Sequence, residues 1–336
     1  MKTTGEQPMR GVKQILKKTV LAAIVVGGSL TALASQPAYA AWPEKPIEVV
    51  VPYTPGGATD TVTRVIMKKL SERLGQPVVV ANKPGANSTI GTAAVARAKP
   101  DGYTFVTVLA AYTINPHLYK LSYSFEDFEP VSHMADLPLF LFINKDIPAN
   151  TLAELIAYGK KKPDTLTYAS SGTGSSAHMT GANFGLQAGL TMTHIPYKGS
   201  APILTDLLSG QVSMVFDPIL VPMQYVKQGK LKAIAITSTK RWDDEPGVPT
   251  MDEAGLPGFF MNSWASLMAP AGTPKDIVDR VSKEIAEIAK DPEVMKTFHE
   301  AGFVAVGSTP DELAKLIQKD TAMYGDIVKK ANIKLN

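Results

Sequence analysis

The run Ile47-Glu-Val-Val-Val51, followed at once by Pro52-Tyr-Thr-Pro-Gly-Gly-Ala-Thr-Asp60, limits the fold more than any other stretch of the chain. The apolar, β-branched run reads as a buried strand. Pro52, Pro55, Gly56 and Gly57 break regular structure. Thr59 and Asp60 are helix-capping types, and Val62, Val65, Ile66, Met67 and Leu70 then recur at helical spacing. A strand, a glycine turn and a helix in that order leave unpaired N–H groups at a helix start, which favours an anion. Most such turns are only connections, so the rest of the chain decides.

The same order repeats. Gln76–Ala81, Thr89–Ala98 and Tyr103–Leu109 read as strand, helix and strand, which completes a βαβαβ unit with a parallel sheet. Pro138–Ile143 is a further apolar strand, and Thr151–Lys161 a helix with Thr151 as cap and Glu154 at the capping-box position. A second unit runs through strands at Leu166–Ala169, Thr193–Pro196, Gln211–Phe216 and Lys232–Thr237, with helices between them. Asn262–Ala269 reads as a strand, and three amphipathic helices close the chain at Lys275–Lys290, Pro292–Ala301 and Pro310–Asn332. The fold class expected is α/β, with two domains. Residues 41–140 and 265–336 form the first, and 141–264 form the second. The chain crosses near Leu137–Ile143 and again near Asn262–Ala269. Two crossing strands make a hinge, and the cleft between the domains is the default ligand site.

The first 40 residues stand apart from this pattern. Arg10, Lys13, Lys17 and Lys18 form a basic region, Val20–Leu33 an apolar one, and Ala38-Tyr-Ala40 a cleavage site. This reads as a secretory signal peptide cut after Ala40. The apolar run is short for a membrane span of ~20 residues, and no Arg-Arg pair points to the twin-arginine route. Removing the leader's +4 turns the +3 of the whole chain into −1. The basicity belongs to the leader, so no nucleic-acid partner is expected. With no cysteine there is no disulfide, thiolate ligand or lipid-anchoring residue. His117, His133, His194 and His299 lack ligand spacing, so no metal is expected, and no cofactor.

Three small-residue turns follow strands: Thr54–Asp60, Ser170–Ser176 and Tyr197–Ala201. Facing one cleft, they can aim N–H groups at an anion. A helix start contributes ~0.3–1 kcal/mol and charge-assisted hydrogen bonds roughly 1.5–3 kcal/mol each. A micromolar complex needs about −8 kcal/mol, so a few such donors suffice without arginine. Lys83 and Lys198 lie near the turns and read equally as solvated lysines. Gly172-Thr-Gly174-Ser-Ser-Ala177 fits a dinucleotide fingerprint, but no acidic residue occurs between Thr165 and Thr205 to hold a ribose. Ser175 or Ser176 with His178 raises a secreted serine hydrolase, yet no G-x-S-x-G is present. His178 reads better as support for the turn. Asp217 either accepts hydrogen bonds at the cleft or caps a helix. Trp264 either stacks in the cleft or packs the hinge. Tyr112 lies past a strand's C-terminal end, where α/β sheets bind ligands, and reads equally as a loop tyrosine packed on the domain surface.

Taken together, Pro52-Tyr-Thr-Pro-Gly-Gly-Ala-Thr-Asp60, Asn82-Lys-Pro-Gly-Ala86, Lys99-Pro-Asp-Gly-Tyr103, Ile114-Asn-Pro-His-Leu-Tyr119, Ser170–His178, Pro196-Tyr-Lys-Gly199, Phe216-Asp217 and Ala269–Pro274 resemble, in order, the substrate-binding proteins of tripartite tricarboxylate transporters, also called the Bug family. The resemblance runs from about Trp42 to the C-terminus. It implies a monomeric periplasmic binding protein of the Venus-flytrap kind (type II-like), without enzymatic activity. Such a protein captures a small organic carboxylate, a di- or tricarboxylate or an aromatic acid, and delivers it to membrane transporter subunits. A receptor feeding a sensor kinase is the variant reading. Carried onto this chain, the family's ligand contacts point to Tyr53, Thr54, Gly56, Gly57, Ala58, Asp60, Ser170, Thr173, Ser175, His178 and Asp217, with Asp60 mainly organising the turn. Two departures, Asn87-Ser88 in place of a second Gly-Gly and Tyr112-Thr113 in place of Thr-His, add Asn87 and Tyr112 as specificity candidates beside Trp264. A tyrosine at the cleft edge would favour a ligand with an apolar or aromatic body.

Overall fold

The computed structural model describes residue 1 and residues 42–335. The expected leader, 1–40, lies almost wholly outside the described residues. No helix among those described is long and apolar enough to cross a membrane.

From Lys45 onward the chain forms one compact unit containing two sheets. Strand β1 (Ile47–Val51) pairs in parallel with β2 (Val78–Asn82) and β3 (Thr104–Leu109), and helices α1 (Ala58–Leu74) and α2 (Thr89–Ala96) connect them. Its residues Ile47, Val49, Val50 and Val51 are all buried, which explains the unbroken β-branched run. After a short helix α3 (Ala111–Ile114) comes β4 (Phe128–Leu137), then β5 (Phe140–Asn144). The second sheet continues with α4 (Leu152–Lys161), β6 (Thr167–Ser170), α5 (Ser176–Ala188) and β7 (Thr193–Pro196). Helix α6 (Ser200–Ser209), β8 (Met214–Asp217), α7 (Pro222–Lys227) and β9 (Leu231–Ile236) complete it. The chain then returns through β10 (Ser263–Pro270) and ends with α8 (Lys275–Ile288), α9 (Pro292–Glu300), β11 (Val304–Ala305) and α10 (Pro310–Lys330).

The two sheets share one plan. The first runs β2-β1-β3-β10-β4-β11 and the second β7-β6-β8-β5-β9. In each, three parallel strands are followed by an antiparallel strand that the chain brings in from the other lobe, β10 in the first and β5 in the second. Every residue of β5 and of β10 is buried. The chain changes sheet at Pro138–Leu139 and again between Ile236 and Ser263. These crossings are tied together at Thr237. It exchanges hydrogen bonds with Leu139, whose N–H donates to its hydroxyl (3.1 Å) and whose carbonyl accepts from its N–H (2.9 Å). The Thr237 hydroxyl also donates to Asn262 Oδ1 (3.2 Å).

Strand β4 has no counterpart in the sequence reading. Pro130, Ser132 and His133 interrupt its apolar pattern, and its pairing with β10 contains two register shifts. Alternation is therefore lost along a strand that is nevertheless mostly buried.

Candidate functional site

The Pro-Gly-Gly turn leaves the C-terminal end of β1, and Asp60 shapes it from within the first turn of α1. Asp60 Oδ2 accepts from Gly56 N–H (2.9 Å) and Arg64 Nε (2.9 Å), and Oδ1 accepts from Asn82 Nδ2 (2.9 Å). The same Asn82 amide reaches the Tyr53 carbonyl (3.1 Å). Burial alone would raise the Asp60 pKa. The hydrogen bonds from Arg64, Gly56 and Asn82 outweigh it and hold the carboxyl at about 2. Its charge is thus committed to Arg64, and the Gly56 N–H to Asp60. The N–H groups of Gly57, Ala58 and Thr59 have no acceptor among the described residues. Thr54–Gly57 is exposed, and Gly57 lies at the N-cap in extended geometry. Tyr53 turns its phenol inward beside Ser88, where burial raises its pKa far above the usual tyrosine range.

The loop after β2 lies beside this turn. Ala86, Asn87 and Ser88 are three successive non-glycine residues at positive φ (45°, 49°, 76°). Each such residue costs about 1 kcal/mol, and strain of this kind gathers where structure serves function. Asn115, wholly buried, holds the loop: its amide N–H donates to the Asn87 carbonyl (2.9 Å), and its Oδ1 accepts from Asn87 Nδ2 (2.8 Å).

In the second lobe the turns again leave C-terminal strand ends. Ser170, with no exposed surface, is locked by His194 Nε2 (2.7 Å) and by Gly172. Ser175 is the N-cap of α5, accepting from the His178 backbone N–H (3.2 Å). The His178 ring accepts from Gly174 N–H through Nδ1 (3.2 Å) and stacks on His194 at 3.6 Å. Burial, with the neighbouring His194, lowers the His178 pKa to about 3, and burial lowers that of His194 to about 4. Ser175 and His178 therefore do not meet as hydroxyl and ring: the pair that the alternative hydrolase reading needs is not assembled, and His178 supports the turn. No cluster of three or more potential metal ligands occurs among the described residues.

Asp217 ends β8 facing α6, where its Oδ1 accepts from Ser200 Oγ (3.1 Å). Burial pushes its pKa up to about 7. A cavity of about 470 Å³ opens between the lobes. Asn87 and Tyr119 line it from one side; Ser171, Gly172, Thr173, Ser175, Tyr197 and Lys198 line it from the other. Lys198 is exposed and makes no ion pair among the described residues, whereas Lys83 is paired with Glu48 (2.8 Å).

Of the expected contacts, Asn87, Thr173 and Ser175 line this cavity; the Pro-Gly-Gly turn, Ser170, His178 and Asp217 lie outside its lining, as do Tyr112 and Trp264. Tyr112 is 1% exposed, packed among Tyr123, Phe125 and Phe128 in the first-lobe core. Trp264 is equally buried and donates its indole N–H to Asp320 of α10 (2.7 Å). Neither lines the cavity between the lobes, so the inference from a cleft-edge Tyr112 to an apolar or aromatic ligand body loses its basis. The cavity residues absent from the expected set are Tyr119, Ser171, Gly172, Tyr197, Lys198 and Leu335; all but Leu335 lie in the Ile114–Tyr119, Ser170–His178 and Pro196–Gly199 motifs, which carried the available signal.

Two α/β lobes of one plan, joined by two crossings, with small-residue turns at a cleft, define a periplasmic binding protein. The family model described as tripartite tricarboxylate transporter family receptor matches residues 62–333. Protein BugT of Bordetella pertussis is 36% identical over 301 residues, covering 88% of this chain and 91% of the relative. A Rhodopseudomonas palustris protein solved with adipate is 33% identical, with a TM-score of 0.77 over 87% of this chain and 99% of its own. MatC of the same organism, solved with bound malate, is 32% identical, with a TM-score of 0.73 over 85% of this chain and all of its own. The chain belongs to the tripartite tricarboxylate transporter receptor family, whose members are periplasmic solute-binding receptors.

Proposed function

We propose that this receptor captures a small organic carboxylate in the periplasm and hands it to membrane transporter subunits, acting as a monomer and without catalysis. One observation carries the ligand class. The exposed Pro-Gly-Gly turn keeps the N–H groups of Gly57, Ala58 and Thr59 without acceptors, while Asp60 is already neutralised by Arg64. Such a turn takes an anion through backbone donors at a helix start. The adipate and malate with which two relatives were solved are carboxylates, the class such a turn takes. Residues 41–140 with 265–336 act as one jaw and 141–264 as the other, and the leader at 1–40 directs export. Thr54, Gly57, Ala58, Asn87, Thr173 and Ser175 are the ligand-facing set, with Tyr53, Asp60, His178 and Asp217 supporting the turns behind it.

A thermal-shift screen over aliphatic and aromatic mono-, di- and tricarboxylates identifies the ligand; a panel without a single hit sinks the reading. Gly57→Asp then tests the turn. Gly57 has the extended N-cap backbone, and an added Cβ meets only the Thr54 carbonyl, at an ordinary 3.8 Å. Aspartate is a favoured N-cap residue, so the variant keeps or gains stability while its own carboxylate occupies the donors. The expected result is loss of calorimetric binding with an unchanged or raised Tm. Wild-type affinity would place the ligand elsewhere.

A further inference from the structure

The two lobes touch where the strained loop of the first meets the Gly172–Ser175 turn of the second. Gly174 has φ +81°, and a Cβ there would lie 2.9 Å from Leu118 Cδ1 and 3.4 Å from Asn87 Nδ2. The missing side chain leaves room for Leu118, and the Asn87 amide approaches the same position. Gly174 cannot withdraw freely, because its N–H is committed to His178 Nδ1 (3.2 Å) and His178 is held in a buried stack with His194. Nor is Asn87 a loose surface side chain. Its carbonyl and its amide are both engaged by the wholly buried Asn115 (2.9 and 2.8 Å). The Ala86 carbonyl is fixed by the N–H and hydroxyl of Thr89 (3.1 and 2.8 Å). Without these bonds a run of non-glycine residues at positive φ would relax toward ordinary backbone.

We propose that Asn115 is a positioning residue for lobe closure: from inside the first lobe it holds Asn87 in a left-handed loop, so that the Asn87 amide seats against the side-chain-free Gly174 turn of the second lobe. This rests on the reading of the chain as a receptor whose lobes close over a ligand. The side-chain hydrogen bonds of Asn115 go to Asn87 and Ser88 of its own lobe and it does not line the cavity, so its effect on closure passes through Asn87. Two consequences follow. Removing the Asn87 amide and removing Asn115 should loosen the same contact. Removing both should do no more than removing one, as expected for groups acting as a unit.

The chain has no cysteine, so two introduced cysteines carry spin labels without background. Glu72→Cys and Gln187→Cys place them at exposed helix sites on opposite lobes, away from the contact. Interlobe distances are then measured by pulsed electron paramagnetic resonance in the full chain without ligand. Asn115→Ala is expected to shift the distribution to longer, broader distances. Asn87→Gly is expected to do the same, and because glycine accepts positive φ without strain this variant keeps the loop and the fold. The double variant should match the single ones. An unchanged distribution in Asn87→Gly, or shifts that add in the double variant, would overturn the proposal. Failure of every carboxylate to bind would instead overturn the receptor reading, since the distance measurement uses none.

Discussion

Asp60 stands beside the proposed anion turn as a negative charge, and its surroundings explain why it does not repel a carboxylate. Arg64, Asn82 and the Gly56 N–H absorb both of its oxygens. Its folded pKa lies below the unfolded one, so the stability it contributes is complete above the unfolded carboxylate range and is lost as pH falls through about 2. Asp60→Asn should therefore destabilise the protein by about 1–2 kcal/mol at pH 7, discounted for the half-exposed Arg64. The gap to wild type should narrow between about pH 4 and pH 2, and urea melts across that range measure it. An equal gap at both ends would show that the carboxylate's charge is not what matters. Its role was legible from sequence because an acidic residue three positions into a helix after Gly-Gly has few other uses. Asn115 was not legible as a clamp. The left-handed loop it holds appears only once φ is known, and an Asn before proline reads as an ordinary turn residue.

At the level of elements, the repeated strand–turn–helix order carried through to two sheets of one plan, with the inner strands β1 and β5 buried on both faces and the edge strand β2 partly exposed. What the pattern did not carry was β4, whose proline, serine and bulged pairing hide a strand that only β10 makes intelligible. Nor did it carry the direction of side chains near the cleft. Tyr112 and Trp264 have the right residue types at the right strand ends, but both point into the first-lobe core. Trp264 instead joins β10 to α10 through Asp320. Burial raises the Asp320 pKa, so the folded state holds the proton more tightly. Stability from this group rises as pH falls through the folded value and diminishes above it. Asp320→Asn keeps an acceptor for the indole and removes a buried charge, and should leave stability at pH 7 within about 1 kcal/mol of wild type. Asp320→Leu strands the indole N–H and should cost about 1–3 kcal/mol. Denaturant midpoints followed by tryptophan fluorescence separate the two variants; equal losses would mean that the shape of the side chain, not its hydrogen bond, fastens α10.

For the whole molecule, the decisive geometry is that the chain passes between sheets twice and that both passages meet at Thr237. Two parallel connections restrict relative motion of the lobes to a bend about the line joining them. Ser176 Oγ donates to Ser263 Oγ (3.0 Å) at the start of the returning strand β10, and the stack of Trp242 on His299 at 4.6 Å spans the two lobes. The crossing is therefore braced on more than one side. A ligand that touches the Pro-Gly-Gly turn and the Thr173–Ser175 turn together binds best when the lobes are close. It can shift the equilibrium only by that difference in affinity. Small-angle scattering should accordingly show a smaller radius of gyration with a saturating carboxylate from the thermal-shift panel than without it. Gly57→Asp should show no such ligand-dependent change, because its donors are filled from within. Thr237→Val keeps the side-chain shape and removes the hydroxyl that joins Leu139 to Asn262, so it should widen the ligand-free ensemble while leaving both sheets intact. A wild-type radius that does not respond to bound carboxylate would mean that capture needs no bending at Thr237, and the two crossings would then be a rigid brace rather than a hinge.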